Sequence, residues 1–346
     1  MKKTKKMIRN FILFIVLIIL TFYIILKDAN IVEIFYAFIS TKKTYILIAI
    51  TCMILYFCCE AINIGRTLKA LGEKSNFLMN LKYALIGFFF SSITPAASGG
   101  QPMQIYYMHK DKISVANSTL ALLINLSCMQ ITTISIALFS ICFNYKYLNT
   151  GLIWLFVIGI MLNLSALILL LISIFSKRMT KWIINVTLKV LKFFRIKNIE
   201  EKREKFEKEL EKYQGSANYI KKHKRVVVKN LLTTYVQFIL YYSISYWVYC
   251  SLGLNSHNIF EIIMVQSILF ATVSGIPSPG AVGVSEGGFI ALYRKVFPPE
   301  MLNGAMMLIR GINFYLFVLI SVIIVLINDI KEKRENKYIE EHEKQE

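Results

Sequence analysis

Apolar positions in this chain run in long unbroken blocks instead of recurring every third or fourth residue. The clearest blocks are 11–26, 45–62, 118–143, 152–175, 231–252 and 303–327. A soluble core asks only for one apolar face per helix. A bilayer asks for about 20 consecutive apolar residues to carry a helix across roughly 30 Å of hydrocarbon. The pattern therefore predicts an all-α polytopic membrane protein with about six full transmembrane helices. Two further apolar stretches, 78–93 and 259–273, are followed by polar segments rich in Gly and Pro: Thr94, Pro95, Ala96, Ala97, Ser98, Gly99, Gly100 in the first, and Gly275, Ile276, Pro277, Ser278, Pro279, Gly280 in the second.

Charge decides how these two stretches are read. Forty Lys and Arg stand against 21 Asp and Glu, a net charge of +19. The excess is concentrated in the loop 176–229, which holds 17 Lys/Arg and 6 Glu, while the short connections 144–150 and 253–258 hold one Lys and none. Positive loops stay cytoplasmic. If 78–93 were a simple crossing, two more crossings would leave this basic loop outside. The conflict disappears if 78–93 dips in, turns at Thr94 to Gly100, and returns through 101–108, leaving Lys110 and Lys112 inside. The same arithmetic near the other end makes 259–273 enter from the opposite face and return through 281–296. Two opposed, similar broken helices predict an inverted repeat with a substrate site near the midplane. Two kinked, buried helices with tight turns would produce the same pattern.

The basic N-terminal residues Lys2, Lys3, Lys5, Lys6 and Arg9 precede a block that reaches Asp28 without a small-residue cleavage site, so the first helix reads as a retained anchor. Both termini are then cytoplasmic. The domain reading is a membrane unit over 1–327, with 176–229 as its basic cytoplasmic loop, and a charged tail over 328–346. Within the loop, 179–194 and 200–219 have helical spacing, and the first carries an apolar face that suits an anionic leaflet. Basic loops beside spans are common, so no nucleic-acid partner is expected for this chain alone.

Candidate chemistry gathers at the breaks. Irregular backbone at membrane depth must line a cavity or be covered by protein. Ser98, Gly99, Gly100 and Gln101 have capping-box spacing, which predicts a helix N-terminus with free N–H groups, and Ser278 before Pro279 offers another. Such ends bind anions; well-capped helix ends without a ligand would look the same. Ionisable residues inside a span are costly and so become functional candidates. Glu286, beside Ser285, and Arg310, about 10 Å into the last span at 1.5 Å per residue, are expected either to grip a phosphate or to pair with each other. A purely structural pair would use the same residues. Glu60 is expected at the cytoplasmic headgroup level beside Arg66. Asn125, Gln130, Gln237 and Gln266 read as interhelical glue, whereas Gln101 and Gln104 stand out beside the first break. Tyr106 and Tyr107 read as interfacial anchors. No nucleotide loop or HExxH motif occurs, and His109, His223, His257 and His342 are scattered, so no catalytic residue, metal or cofactor is assigned.

At these residues the chain resembles the lysylphosphatidylglycerol synthase transmembrane family, also called flippase-like, the membrane half of phosphatidylglycerol lysyltransferases. The resemblance spans the chain from its first helix to Ile327. It is carried by Thr94 to Gln101 with Gln104 and Tyr106, and by Pro277, Ser278, Pro279, Gly280 and the run through Ser285, Glu286, Gly287 and Gly288 to Tyr293. Common forms of the first motif place an Arg where this chain offers Gln104. The resemblance implies a membrane domain that handles phospholipid, translocating lysyl-phosphatidylglycerol or a related anionic or aminoacylated lipid and so contributing to cationic peptide resistance. It also leaves open a membrane subunit of the lysyltransferase itself, whose transferase domain is not expected in the 54-residue loop or the tail; a small-molecule secondary transporter is a further alternative. A separate cytosolic synthase is an implied partner.

Overall fold

A computed structural model describes residue 39 and residues 41–94, 97–144, 150–176, 199–276 and 283–342. The predicted first span at 11–26 and the amphipathic stretch at 179–194 lie outside the described residues. Among the described residues the protein is entirely helical, without strands. In chain order the helices are α1 (Lys43–Ala70), α2 (Phe77–Ser92), α3 (Gly100–Lys110), α4 (Val115–Asn144), α5 (Thr150–Phe175), α6 (Ile199–Lys222), α7 (Lys224–Ser251), α8 (Ile259–Val273), α9 (Val284–Tyr293), α10 (Pro299–Arg310) and, after a π-helical turn over Gly311–Tyr315, α11 (Leu316–His342).

Four helical stretches have the length and apolarity to cross a bilayer: α1, α4, α5 and the continuous run Pro299–Ile330. The polytopic membrane protein expected from the hydropathy blocks is the one found. α5 presents the largest apolar exterior, with Trp154, Ile158, Met161, Leu169 and Phe175 exposed, as lipid solvation requires and water would penalise. α7 has 28 residues, about 42 Å at 1.5 Å each, but interleaves polar residues with apolar ones. It packs antiparallel on α1, where fully buried Asn63, Thr67, Asn230 and Thr234 share hydrogen bonds: Asn63 Nδ2 to Thr234 Oγ1 at 3.0 Å and Asn230 Nδ2 to Thr67 Oγ1 at 2.7 Å. Polar groups without water must satisfy one another in this way.

The two broken segments are helical hairpins that open toward opposite ends of the molecule. In the first, α2 and α3 lie antiparallel: Lys82 Nζ donates to Asp111 Oδ2 at 2.6 Å, Gln104 Nε2 to Tyr83 O at 3.1 Å, and Gly100 sits against Ser91 and Gly87. Its entry and exit share one end with Glu73, Asn117 and α6, since Asn117 Nδ2 donates to Glu73 Oε1 at 2.6 Å and Ser216 Oγ to Asn117 Oδ1 at 2.7 Å. This is the basic end. In the second hairpin Tyr293 OH donates to Gln266 Oε1 at 2.8 Å and Gly288 packs on Leu269 and Val273. Its entry and exit lie beside Tyr249, whose hydroxyl accepts from Ser256 N and whose ring meets Phe297, and the nearby Ser251 carbonyl accepts from Lys42 N. The hairpins share a local plan: each first helix starts at an Asn cap, Asn76 accepting from Met79 N and Asn258 from Glu261 N, both at 2.9 Å.

α6 docks on the basic end. Glu209 accepts from Ala116 N at 2.8 Å and from Ser114 Oγ at 3.4 Å, so the carboxylate caps the N-terminus of α4 from another helix. Tyr213, whose hydroxyl burial pushes up to about 12, donates to Ser173 O at 2.9 Å. Tyr213, Ala217 and Ile220 close a small apolar cluster with Ala116, Leu120, Ile124, Cys128 and Ile174. Tyr107, expected as an interfacial anchor, is instead buried and donates to Asp329 Oδ1 at 2.8 Å; its neighbour Tyr106 is the exposed one, because adjacent helical residues point about 100° apart.

Candidate functional site

The tip of the first hairpin and the C-terminal end of α8 in the second line one cavity of about 270 Å³. Ser91, Ala97, Gln101 and Gln104 come from the first hairpin, Phe270 and Ser274 from the second, Tyr56 and Glu60 from α1, and Asn125, Gln130 and Thr133 from α4. The first tip is shaped by Thr94, whose hydroxyl donates to Phe90 O at 2.7 Å and accepts from Gly99 N at 2.9 Å, and by Ala97 at φ +54°. A left-handed alanine is uncommon and costs energy, and it sits at the cavity wall.

The capping box expected at Ser98 is not formed. Gly99 occupies the N-cap position of α3, no side chain caps it, and Thr94 already takes the Gly99 N–H. Pro102 in the same turn brings no N–H, so Gly100 and Gln101 supply the donors left to α3. The physical reason is local: the hydroxyl of Thr94 closes the turn from five residues back, which moves the helix start one residue past Ser98. Gly99 and Gly100 serve close approach, since a Cβ on Gly100 would collide with Ser91 Oγ and lie 2.8 Å from Gly87 O.

A second, smaller cavity of about 40 Å³ adjoins the first through the shared wall of Phe270 and contains Ser285, Gln266, Asn313 and Arg310. Here Arg310 Nε donates to Glu286 Oε1 at 3.0 Å, with the two side chains 11% and 18% exposed. Glu286 Oε2 accepts from Gly283 N at 2.6 Å, so the same carboxylate caps α9 and holds the guanidinium. The guanidinium lies 4.4 Å from the Phe314 ring centre and 5.8 Å from that of Tyr315, within cation–π range. The π turn begins at the next residue, Gly311; such turns rotate the side chains that follow and are frequent at functional sites.

Of the candidate residues, the structure thus places Gln101 and Gln104 in the larger cavity, Ser285 and Arg310 in the smaller, Glu286 on Arg310, and Ser98, Gly99 and Gly100 in the turn between α2 and α3. Ser278 and Gly280 lie outside the described residues. Gln266 is the glue expected of it, accepting from Ser245 Oγ and Tyr293 OH at 2.9 and 2.8 Å. Glu60 is a correction. It does not sit with Arg66: it faces the cavity with the Gln104 amide beside it, while Arg66 donates to Asn63, Asn230 and Thr233 on α1 and α7. Six residues along a helix is a rotation of about 240°, so the two were never on one face. Asn125 and Gln130, expected as glue, also line the cavity, and their amide oxygens have no partner. The spacing of Tyr56 and Glu60, one helical turn apart within an apolar run, was the available signal.

Opposed helical hairpins that both contribute to one internal cavity, beside a mostly buried Glu–Arg pair, define a polytopic helical membrane protein with an internal site. The chain belongs to the family described as the lysylphosphatidylglycerol synthase TM region, which matches residues 10–321. It is also similar to a UPF0104 membrane protein of Archaeoglobus fulgidus, with 22% identity over 277 residues, covering 76% of this chain and 80% of that protein.

Proposed function

We propose that the protein moves an anionic or aminoacylated phospholipid, with lysyl-phosphatidylglycerol as the first candidate, between the leaflets of the cell membrane. The observation that carries this reading is the convergence of two opposed hairpins on one cavity, with Arg310 in the smaller cavity that adjoins it. In this account Arg310 exchanges its bond to Glu286 for a bond to the lipid phosphate. A guanidinium fits a phosphate as well as a carboxylate, and one ion pair replaces another at small net cost. The polar groups of the first break (Ser98, Gly99, Gly100, Gln101, Gln104) and of the second (Ser278, Gly280, Ser285) line the headgroup path, and the hairpins act as the moving parts of an inverted repeat.

The basic end faces the cytoplasm in this reading, by the positive-inside rule, with 1–327 as one membrane domain and 328–346 as a cytoplasmic tail. Export of a lysyl lipid lowers the negative charge of the outer surface and weakens cationic peptides. A second reading, a membrane subunit working with a separate lysyl-tRNA-dependent synthase, is favoured by the description of the family.

The test is lipid crossing in liposomes that hold fluorescent phosphatidylglycerol and its lysyl ester, scored by leaflet-specific quenching. Arg310→Ala is expected to slow crossing at least about tenfold, the effect of losing one charge-assisted contact. Failure of the folded wild-type protein to move either lipid overturns the translocator reading in favour of the subunit.

A further inference from the structure

Among the described residues that line the larger cavity, Glu60 is the only charged one, and an exchange of partners at Arg310 leaves it unused. Arg66 of the same helix donates to Asn63, Asn230 and Thr233, and Arg310 stands on Glu286 in the adjoining cavity. From α2, α3, α4, α5 and α8 the wall receives amides, hydroxyls, a thioether and hydrocarbon. The other titratable groups on this side are phenols, neutral at ordinary pH: Tyr56 one turn earlier on α1 and, packed behind it, Tyr241 and Tyr242 of α7. Cys58 and Cys59 precede Glu60 in sequence and are not among the residues that line the cavity.

A carboxylate in such a wall is costly, and its lone pairs add to a surplus. Asn125 Oδ1 and Gln130 Oε1 have no donor, and Gln104 uses its Nε2 on Tyr83 O. A carboxylic acid fits better, because it removes the charge and brings one O–H donor. The cost of the charge also differs between two steps of a translocator. With a headgroup in the cavity, the headgroup and its water solvate the carboxylate. When the hairpins turn back without one, amides and rings enclose it, and a proton is the smallest group that cancels the charge. The O–H bond forms on a Glu60 oxygen, with a proton from water at the face where the lipid has left. It breaks at the opposite face, the electron pair staying on oxygen and the proton passing to water.

We propose that Glu60 binds one proton for the step in which the unloaded hairpins change sides, so that lipid moving one way is exchanged for a proton moving the other. The proposal rests on the translocator reading and deepens it by naming what drives the movement: a difference in pH across the membrane.

The test uses the full chain in liposomes with a pH-sensitive dye in the lumen, the membrane potential clamped with potassium and valinomycin, and fluorescent phosphatidylglycerol or its lysyl ester added to the outer leaflet. As lipid enters, the lumen should turn alkaline by about one proton per lipid, the number one carboxyl group holds. A lumen about one pH unit more acidic than the bath, a tenfold proton ratio, should raise lipid entry by up to about tenfold. Glu60→Gln loses both effects and Glu60→Asp keeps them. Lipid entry without alkalinisation in the wild type, or alkalinisation retained by Glu60→Gln, overturns the proposal. Should Glu60→Gln not fold or not move lipid, the wild-type record of protons against lipid decides alone. Where the folded wild type moves neither lipid, the translocator reading fails by itself. Infrared spectra of the protein in detergent at neutral pH then decide the proton site: a carboxylic-acid band that Glu60→Gln removes upholds it, and a spectrum without that band sinks it.

Discussion

At the scale of single residues, two glycines separate packing from propensity. Gly100 allows α3 to lie against α2, and any Cβ there meets Ser91 and the Gly87 carbonyl. Gly87 O is backbone, so the helices must part. Gly100→Ala is expected to destabilise the protein by about 1–3 kcal/mol, the usual cost of overpacking, read as a lower thermal midpoint in detergent. Gly287, inside α9, has open space where its Cβ would go. Gly287→Ala should be neutral or stabilise by up to about 1 kcal/mol, because alanine gives up less chain entropy in a helix. Equal losses at the two positions would show that helix geometry and not hairpin contact sets the first effect. The sequence marks both as glycine; the side that each faces is a tertiary fact. Glu60 teaches the same point. Its block is apolar on every side, so periodicity could not say which face met a cavity, and only the hairpin and α4 packed around it make it part of a site. The Glu286–Arg310 pair was legible because two opposite charges within apolar segments have few affordable fates other than each other.

At the scale of elements, α6 is the case where composition and docking diverge. Its charged sequence shows only helical spacing within a basic loop, yet Glu209 reaches the first turn of α4 and Tyr213 the last turn of α5. An N-terminal cap is worth about 1 kcal/mol, and this one also ties two elements together. Glu209→Ala should lower stability by roughly that amount and speed amide hydrogen exchange in the second half of α6 more than in α1 or α7. Exchange unchanged in α6 would mean that the apolar contacts of Tyr213, Ala217 and Ile220 hold the helix alone. The hairpins themselves were readable from the Gly/Pro breaks and the charge of the loops. The start of α3 was not, because Ser98, Gly99, Gly100 and Gln101 fit a capping box while the hydroxyl of Thr94, outside that window, holds Gly99 N and the helix begins one residue later.

At the scale of the whole molecule, the topology follows from which ends meet. Glu73, Asp111, Asn117, Glu209 and Ser173 gather at one end, while Lys42, Ser251 and Phe297 gather at the other. The chain that leaves α1 and enters α4 therefore begins and ends on the same side, and the intervening α2–α3 hairpin cannot be a crossing. The loop charges demanded this before any coordinate did, since one extra crossing would move 17 Lys/Arg across the membrane. A single cysteine at Lys110, with the six native cysteines replaced, should be labelled by an impermeant maleimide only when the basic side is accessible, and a cysteine at Asn255 only from the opposite side. Labelling of both from one side would break the opposed arrangement, and with it the convergence of the two hairpins on which the site depends. Labelling of Lys110→Cys from outside in intact cells, with Asn255→Cys labelled from inside, would keep the architecture and invert its orientation, so that the lipid headgroup would enter the cavity from the other leaflet.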